Sequence, residues 1–297
     1  HADHARPGNT SVMATRQTLD LMQVRYGERA GDTLQAVDYG ETVSISGVDV
    51  GMAPAGHILG AAQVILDWQG YRAVVSGDYK RATDPTCAKF EVVKCDLFIT
   101  EATFGLPVFV HENAATEAAR LVASLAASPH RTHLLGVYGL GKCQRMISLV
   151  RAAGYDRPIY LHGALQGLCD YYTSQGLELG ELRPVADEPP ETLQGQLVLC
   201  PPSAIADRWS RRMNDPLTAF ASGWMRVRAR ARQRGAEFPI IVSDHADWPE
   251  LLQTIADVEA GEIWVTHGRE DALLHQISSM GLKGRALALV GFEDEGE

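Results

Sequence analysis

Four loops in this chain of 297 residues are built alike: a short apolar or small-residue approach, then a residue that can hold a metal or move a proton. They are His1-Ala2-Asp3-His4, Gly56-His57-Ile58-Leu59-Gly60, Ser76-Gly77-Asp78-Tyr79 and Thr266-His267-Gly268. Asp78 directly follows Val74-Val75-Ser76-Gly77, and His267 directly follows Ile263-Trp264-Val265-Thr266. A ligand at the end of a buried strand is held rigidly, as a metal site requires. Flanking glycine lets the backbone approach closely. Together the loops ask for a fold that aims ligands at two metal ions. Imidazole with carboxylate suits Zn, Mn or Fe better than Ca or Mg. Taken singly, each histidine reads as an ordinary loop or core residue; the ordered set carries the metal reading.

The rest of the chain has two rhythms. Thr10 or Ser11 can cap a helix running to about Tyr26, with Val12, Leu19, Met22 and Tyr26 as its buried stripe and Gly27 as its stop. Ser46-Gly47 and Gln69-Gly70 each lie between two apolar runs and predict two hairpins, and Cys95 to Thr100 reads as a buried strand. From about Leu106 strand and helix alternate. The expected elements are a helix over 112–126, a strand over 133–138, a helix over 142–153, a strand over 158–161 and a helix from Ala164. That spacing predicts βαβ units and a parallel sheet. Two further buried strands, over 239–243 and 262–266, are each followed by a histidine and a predicted helix.

Composition narrows the function classes. The net charge of -10 argues against a generally basic nucleic-acid coat, though partners respond to local potential. No apolar run approaches the roughly 20 residues of a membrane span. The five cysteines form no CxxC pair and read as reduced core residues of a cytoplasmic protein.

The order H-x-D-H, GH-x-x-G, SGD, TEATFG, SDHAD, THG resembles the metallo-β-lactamase superfamily and, more narrowly, its β-CASP nucleases. Gly139 to Arg145, Ala221 to Met225 and Ser243 to Trp248 resemble the bacterial ligase-associated DNA exonuclease branch most of all. The resemblance implies an α/β protein. Its core would be an αββα sandwich in two parts, 1–105 and 238–297, split by a β-CASP-like cassette over 106–237. It implies two divalent metal ions, Zn or Mn. His1, His57 and Asp78 would serve one, and Asp3, His4, Asp78 and His267 the other, with Asp78 bridging. It pairs Glu101 with His245. The family's metal loop has a further histidine two residues ahead of His1, and strands before it. The expectation is therefore that the natural protein is longer and that those N-terminal strands are missing here. A functional link to a DNA ligase follows from the branch alone.

The chemistry is coherent without the family. Two metals roughly 3.5–4 Å apart can activate a shared water and clamp a phosphoryl group for in-line displacement. The departing oxygen then needs a proton. An imidazole oriented by a carboxylate can supply it, a role that fits His245 and Glu101. The alternative for Asp244, His245 and Asp247 is to cap or support the helix that follows.

A nucleic-acid substrate is suggested by Asp207 to Arg234, where eight arginines and two aspartates give a net +6. The even spacing from Arg226 to Arg234, with Arg228 and Arg230 between, would align all five on one face of a strand but spread them around a helix. Lys142 and Arg145, after Gly139 and Gly141, could hold a phosphate at a helix start; a plain glycine turn is the alternative. Ser222 and Gly223 could bring the cassette against the substrate, while Trp224 reads as core. His162 is a candidate substrate contact, and His111, His130, His133 and His275 read as structural. The expected function is a metal-dependent DNA exonuclease in DNA repair, with an RNA-processing enzyme as the alternative and a small-molecule metallohydrolase after it.

Overall fold

A computed structural model describes residues 1–287. In chain order the strands are β1 (Ser11–Ala14), β2 (Thr33–Ala36), β3 (Thr42–Ile45), β4 (Val48–Pro54), β5 (Ala62–Trp68), β6 (Tyr71–Val75), β7 (Leu97–Ala102), β8 (His133–Gly136), β9 (Ile159–Leu161), β10 (Leu182–Pro184), β11 (Leu197–Cys200), β12 (Leu217–Ala221), β13 (Phe238–Ile240), β14 (Glu262–Gly268) and β15 (Lys283–Ala286). The helices are α1 (Arg16–Tyr26), α2 (Ala114–Ala127), α3 (Lys142–Ala152), α4 (Gly163–Ser174), α5 (Arg228–Gln233), α6 (Trp248–Asp257) and α7 (Glu270–Ser279).

One sheet has seven strands in the order β15-β14-β7-β6-β5-β4-β3. Its β3 to β6 half is antiparallel and meandering. Both expected hairpins are there: Ser46-Gly47 and Gln69-Gly70 have positive φ at both central residues, the geometry that follows the right-handed twist of paired strands. The other half is parallel, with β6 beside β7, β7 beside β14 and β14 beside β15. Parallel neighbours end at the same edge. Asp78 just past β6, Glu101 near the end of β7 and His267 near the end of β14 are therefore brought to one place.

The second sheet is wholly parallel, in the order β10-β9-β11-β8-β12-β13. Its strands come from residues 133–240, between β7 and α6 in sequence. Every residue of β8 and β11 is buried, as in a parallel sheet covered on both faces. One continuous apolar cluster joins the two sheets. It includes Phe98 and Ile263 of the first and Leu135 and Ile159 of the second. The Tyr172 hydroxyl of α4 also accepts from the amide of Leu59 at 3.2 Å, so the second region buttresses the loop that carries His57.

The amino-terminal helix is a correction. Ser11–Ala14 pairs in parallel with β2, and the helix begins only at Arg16, capped by Thr15. Val12 thus belongs to a strand. The backbone of 11–14 finds its hydrogen bonds in a neighbouring strand, a choice local propensity cannot foresee. Leu19 and Met22 are buried as expected and Gly27 ends the helix. The pair β1–β2 stands apart from the seven-stranded sheet. The Arg-rich stretch is also resolved: a 3-10 turn over Gly223–Arg226 and then α5 spread its arginines around helical backbone instead of along a strand.

Candidate metal centre and its supports

The His1–His4 loop is pinned from behind. Arg25 at the end of α1 donates to the carbonyl of Asp3 at 3.1 Å, and the Tyr26 hydroxyl donates to the carbonyl of Ala5 at 2.6 Å. The His57 loop turns at Gly56 and Gly60, both at positive φ. A Cβ at Gly56 would strike the carbonyl of Lys80, and one at Gly60 the start of α1. Only glycine satisfies both demands. Thr15 and Thr18 then donate their hydroxyls to the Gly60 carbonyl at 2.6 and 2.9 Å.

These loops converge on one carboxylate. Asp78 Oδ2 lies 3.0 Å from His1 Nε2, 3.5 Å from His4 Nε2 and 3.9 Å from His57 Nε2. Five imidazoles run in sequence around it: His267 to His4 (5.4 Å between ring centres), His4 to His1 (4.5 Å), His1 to His57 (4.7 Å) and His57 to His245 (4.8 Å). Within the described residues two sets of donor atoms lie inside 4.8 Å of one another: His1 with His4 and Asp78, and His57 with Asp78 and His245. Asp3 joins neither set. Its carboxylate is exposed and paired with Arg25 at 3.3 Å, so the loop that presents His1 and His4 turns Asp3 away.

The charge state suits ligands. Burial holds the His57 imidazole well below its usual range, with His1 and His245 adding to the effect. His57 Nδ1 is within 2.8 Å of the Asp244 carbonyl, so that nitrogen carries the proton and Nε2 keeps a lone pair facing Asp78. His1 Nε2 faces Asp78 Oδ2 at 3.0 Å, and its buried Nδ1 has no hydrogen-bond partner. For Asp78, burial opposes ionisation, but His245, His1 and His57 hold its carboxyl well below the usual carboxylate range. Buried lone pairs without donors, gathered on a carboxylate, are what a divalent cation would satisfy.

Beside this cluster, Glu101 receives three donors. They are the Tyr79 amide at 2.9 Å, the Thr103 hydroxyl, and His245 Nδ1 at 3.0–3.1 Å. Burial works against a charged His245, yet Glu101 and Asp78 push it up to about 9. The loop is closed on itself by Ser243, whose Oγ accepts from the His245 amide at 3.0 Å.

A second buried cluster lies behind the first. Lys142 Nζ meets Asp244 Oδ2 at 3.0 Å and donates to the Val242 carbonyl at 2.8 Å. Arg145 bridges Asp244 Oδ1 at 3.0 Å and Asp84 Oδ2 at 3.1 Å, and Lys80 closes the set on Asp84 at 2.6 Å. Lys142 and Arg145, expected to hold a substrate phosphate, are buried here and have as partners Asp244 and the Val242 and Ser243 carbonyls of the loop that carries His245, together with Asp84. The glycine turn aims α3 at that loop; a Cβ at Gly141 would collide with Ile58.

The remaining candidates fall as follows. The Ser222 hydroxyl accepts from the Trp224 amide at 3.3 Å, and Gly223 sits against Phe104 and His111 with no room for a Cβ. Arg226 pairs with Glu112 at 3.0 Å, and Arg228 is exposed. His162 caps α4 and its ring meets Trp209, a local role. Asp247 caps α6 and also accepts from the His111 amide at 2.9 Å. Sequence reasoning passed over Asp84 and Lys80, which no motif marks, and left His111 structural. The Nε2 of His111 is buried without a partner, burial lowers its pKa to about 3, and it lines a cavity of about 540 Å³ together with His245.

No protein-family description matches the chain. It is 27% identical over 298 aligned positions to a protein from Opitutus terrae named "Probable DNA ligase", covering 97% of this chain and 28% of that protein. It is 31% identical over 178 residues to "Endoribonuclease YSH1" of Gibberella zeae, covering 56% of this chain and 21% of the relative. A match of 29% to "Cleavage and polyadenylation specificity factor subunit 3" of Dictyostelium discoideum covers 48% and 19%. The chain therefore spans less than a third of each of these relatives. Among solved structures, a protein of unknown function from Enterococcus faecalis V583 shares the fold at a TM-score of 0.62 and 12% identity, over 94% of this chain and 74% of that one.

Proposed function

We propose that this chain is a metal-dependent nuclease of the β-CASP group within the metallo-β-lactamase superfamily, hydrolysing phosphodiester bonds, and that its substrate is DNA attacked from an end. The observation that carries the reading is Asp78 Oδ2 ringed by His1, His4 and His57, with the Glu101–His245 pair alongside. The relatives named as endoribonucleases and as a cleavage factor subunit support a nuclease of this group, and the mixed α/β fold agrees with it. DNA is favoured over RNA because the match to the probable DNA ligase runs along almost the whole chain, while the endoribonuclease match quoted covers about half. A role in DNA repair beside a ligase, in the cytoplasm, is part of the same proposal. Among the described residues no helix is long and apolar enough to cross a membrane.

The residues fit divalent metals. His1, His4, His57, Asp78 and His267 would hold them, and Zn or Mn suits that donor set. Asp3 would first have to leave Arg25. When bound, the metals would supply charge stabilisation for the phosphoryl group and activation of a water. The chain's own residues do the rest. The Asp244 carbonyl fixes the tautomer of His57. Glu101 orients His245 and keeps a proton on Nδ1. That leaves His245 placed to protonate the departing oxygen. Phe104 packs against both Trp224 and His111 beside His245. The inserted region 106–237 would form the second wall of the cleft, with Ser222, Gly223, Arg226 and Arg228 toward the strand. The test is digestion of end-labelled single- and double-stranded DNA and RNA with added Mn or Zn. Mononucleotides released stepwise from DNA support the reading. Internal cuts in RNA alone would move the chain to the RNA-processing reading, and no cleavage of either would sink it.

A further inference from the structure

A second cavity, of about 400 Å³, opens in the parallel sheet and takes no part in the chemistry above. Tyr138 lies just past the end of β8, and Ser222 directly follows β12, the strand beside it. From β8 the chain runs through α3 to β9, on the β11 side of the sheet; from β12 it runs through α5 to β13, on the opposite side. Chain that parts in opposite directions past adjacent parallel strands leaves a crevice at their carboxyl ends, where ligands of α/β sheets bind. The crevice is walled by aromatic rings and guanidinium groups. Arg230 lies 4.1 Å over the ring of Trp224, and Arg234 lies 5.5 Å over that of Phe220. Tyr138, 37% exposed, stands near Phe220 with its ring centre 6.4 Å away. Trp224 leans on Phe104, and Phe104 leans on His245, so this cavity is two rings away from the proposed acid.

We propose that this crevice is a nucleotide subsite that takes one unpaired base, against Tyr138, with its phosphate on Arg230 and Arg234. The proposal rests on the nuclease reading and deepens it, since a base can enter a concave crevice only from a single strand. The cavity volume lies within the range of small-ligand pockets. Aromatic platforms joined to cationic side chains are how single strands are held without sequence choice. The two arginines already lie on aromatic faces, so less freedom is lost when phosphate arrives.

The test reads binding apart from hydrolysis. In excess EDTA, the chain is titrated against a short fluorescein-labelled oligothymidylate, either single-stranded or annealed to its complement, and anisotropy is followed. Tyr138→Ala, Arg230→Gln and Arg234→Gln should each weaken single-strand binding roughly tenfold. Arg232→Gln removes the same charge from the same helix without lining the cavity and should change binding far less. The duplex should bind more weakly than the single strand. Melting by circular dichroism verifies that each variant is folded. If Arg232→Gln weakens binding as much as the cavity variants, or the duplex binds as well as the single strand, the subsite is refuted. Binding that depends on Arg230, in a chain that cuts no nucleic acid, would sink the nuclease reading and leave the subsite standing. Hydrolysis with binding indifferent to Arg230 would do the reverse.

Discussion

Two buried polar clusters share the Ser243–His245 loop, and they are built on opposite rules. Around Asp244 and Asp84, two carboxylates meet three cations, and the charges answer one another within the protein. Around Asp78, one carboxylate meets imidazoles, and His57 is held neutral by burial. In the first cluster every charged group has an opposite charge within 3.1 Å. The second leaves lone pairs facing inward, an arrangement that costs free energy unless a cation fills it. A residue's charge and motif do not say which kind of cluster it joins. Lys142 and Arg145 look like phosphate binders in sequence and serve as internal counter-ions in space.

The largest expected effect tests the unsatisfied cluster. Asp78→Ala should abolish both metal binding, measured by elemental analysis of the dialysed protein, and hydrolysis. Turnover near the wild-type rate would end the assignment of Asp78 as a shared ligand.

His245→Ala should lower hydrolysis by about 10²–10⁴-fold with metal content kept, because its role is proton donation from a position set by Glu101. A substrate with a good leaving group should recover part of the rate. Loss of metal instead would move His245 into the ligand set, where its distance to His57 and Asp78 also allows it.

Arg145→Met breaks the satisfied cluster. Removing one partner strands buried carboxylates and should cost about 3–5 kcal/mol in denaturant unfolding. A variant as stable as the parent would show that the cluster is dispensable. The same cluster sets an acid limit. Burial favours the neutral acids, but Lys80 and Arg145 at Asp84, and Lys142 and Arg145 at Asp244, hold both carboxyls below the ordinary value. Their folded pKa is thus the lower one, so the stability they give is complete above about pH 4 and is lost as pH falls through the folded values. Asp244→Asn should flatten that acid-side loss in thermal melts taken from pH 5 downward.

The smallest effect concerns the surface. Arg228→Gln should weaken nucleic-acid binding modestly and reduce the slope of affinity against salt by about one counter-ion, leaving metal content unchanged. An unaltered slope would place Arg228 on the solvated face only.

Much of this was legible in the residues. The hairpins at Ser46-Gly47 and Gln69-Gly70 follow from turn chemistry, and α2, α3 and α4 follow from periodicity, because both are local properties. The loops at His57, Asp78 and His267 were readable because glycine and an apolar strand flank each ligand, and the structure brings them together with His1 and His4. What the chain could not declare is pairing over distance. Ser11–Ala14 became a strand because β2 offered it backbone partners. β11 and β12 went unread because short buried runs carry no period of their own. Asp3 turned to Arg25 at the surface, and Lys142 and Arg145 turned to Asp244 because a buried charge needs an opposite charge that the fold supplies. Sequence by itself determined which residue types were available at strand ends; only the tertiary structure decided which of them would be left unsatisfied, since satisfaction depends on partners about 100 residues away, as Lys142 and Arg145 are from Asp244.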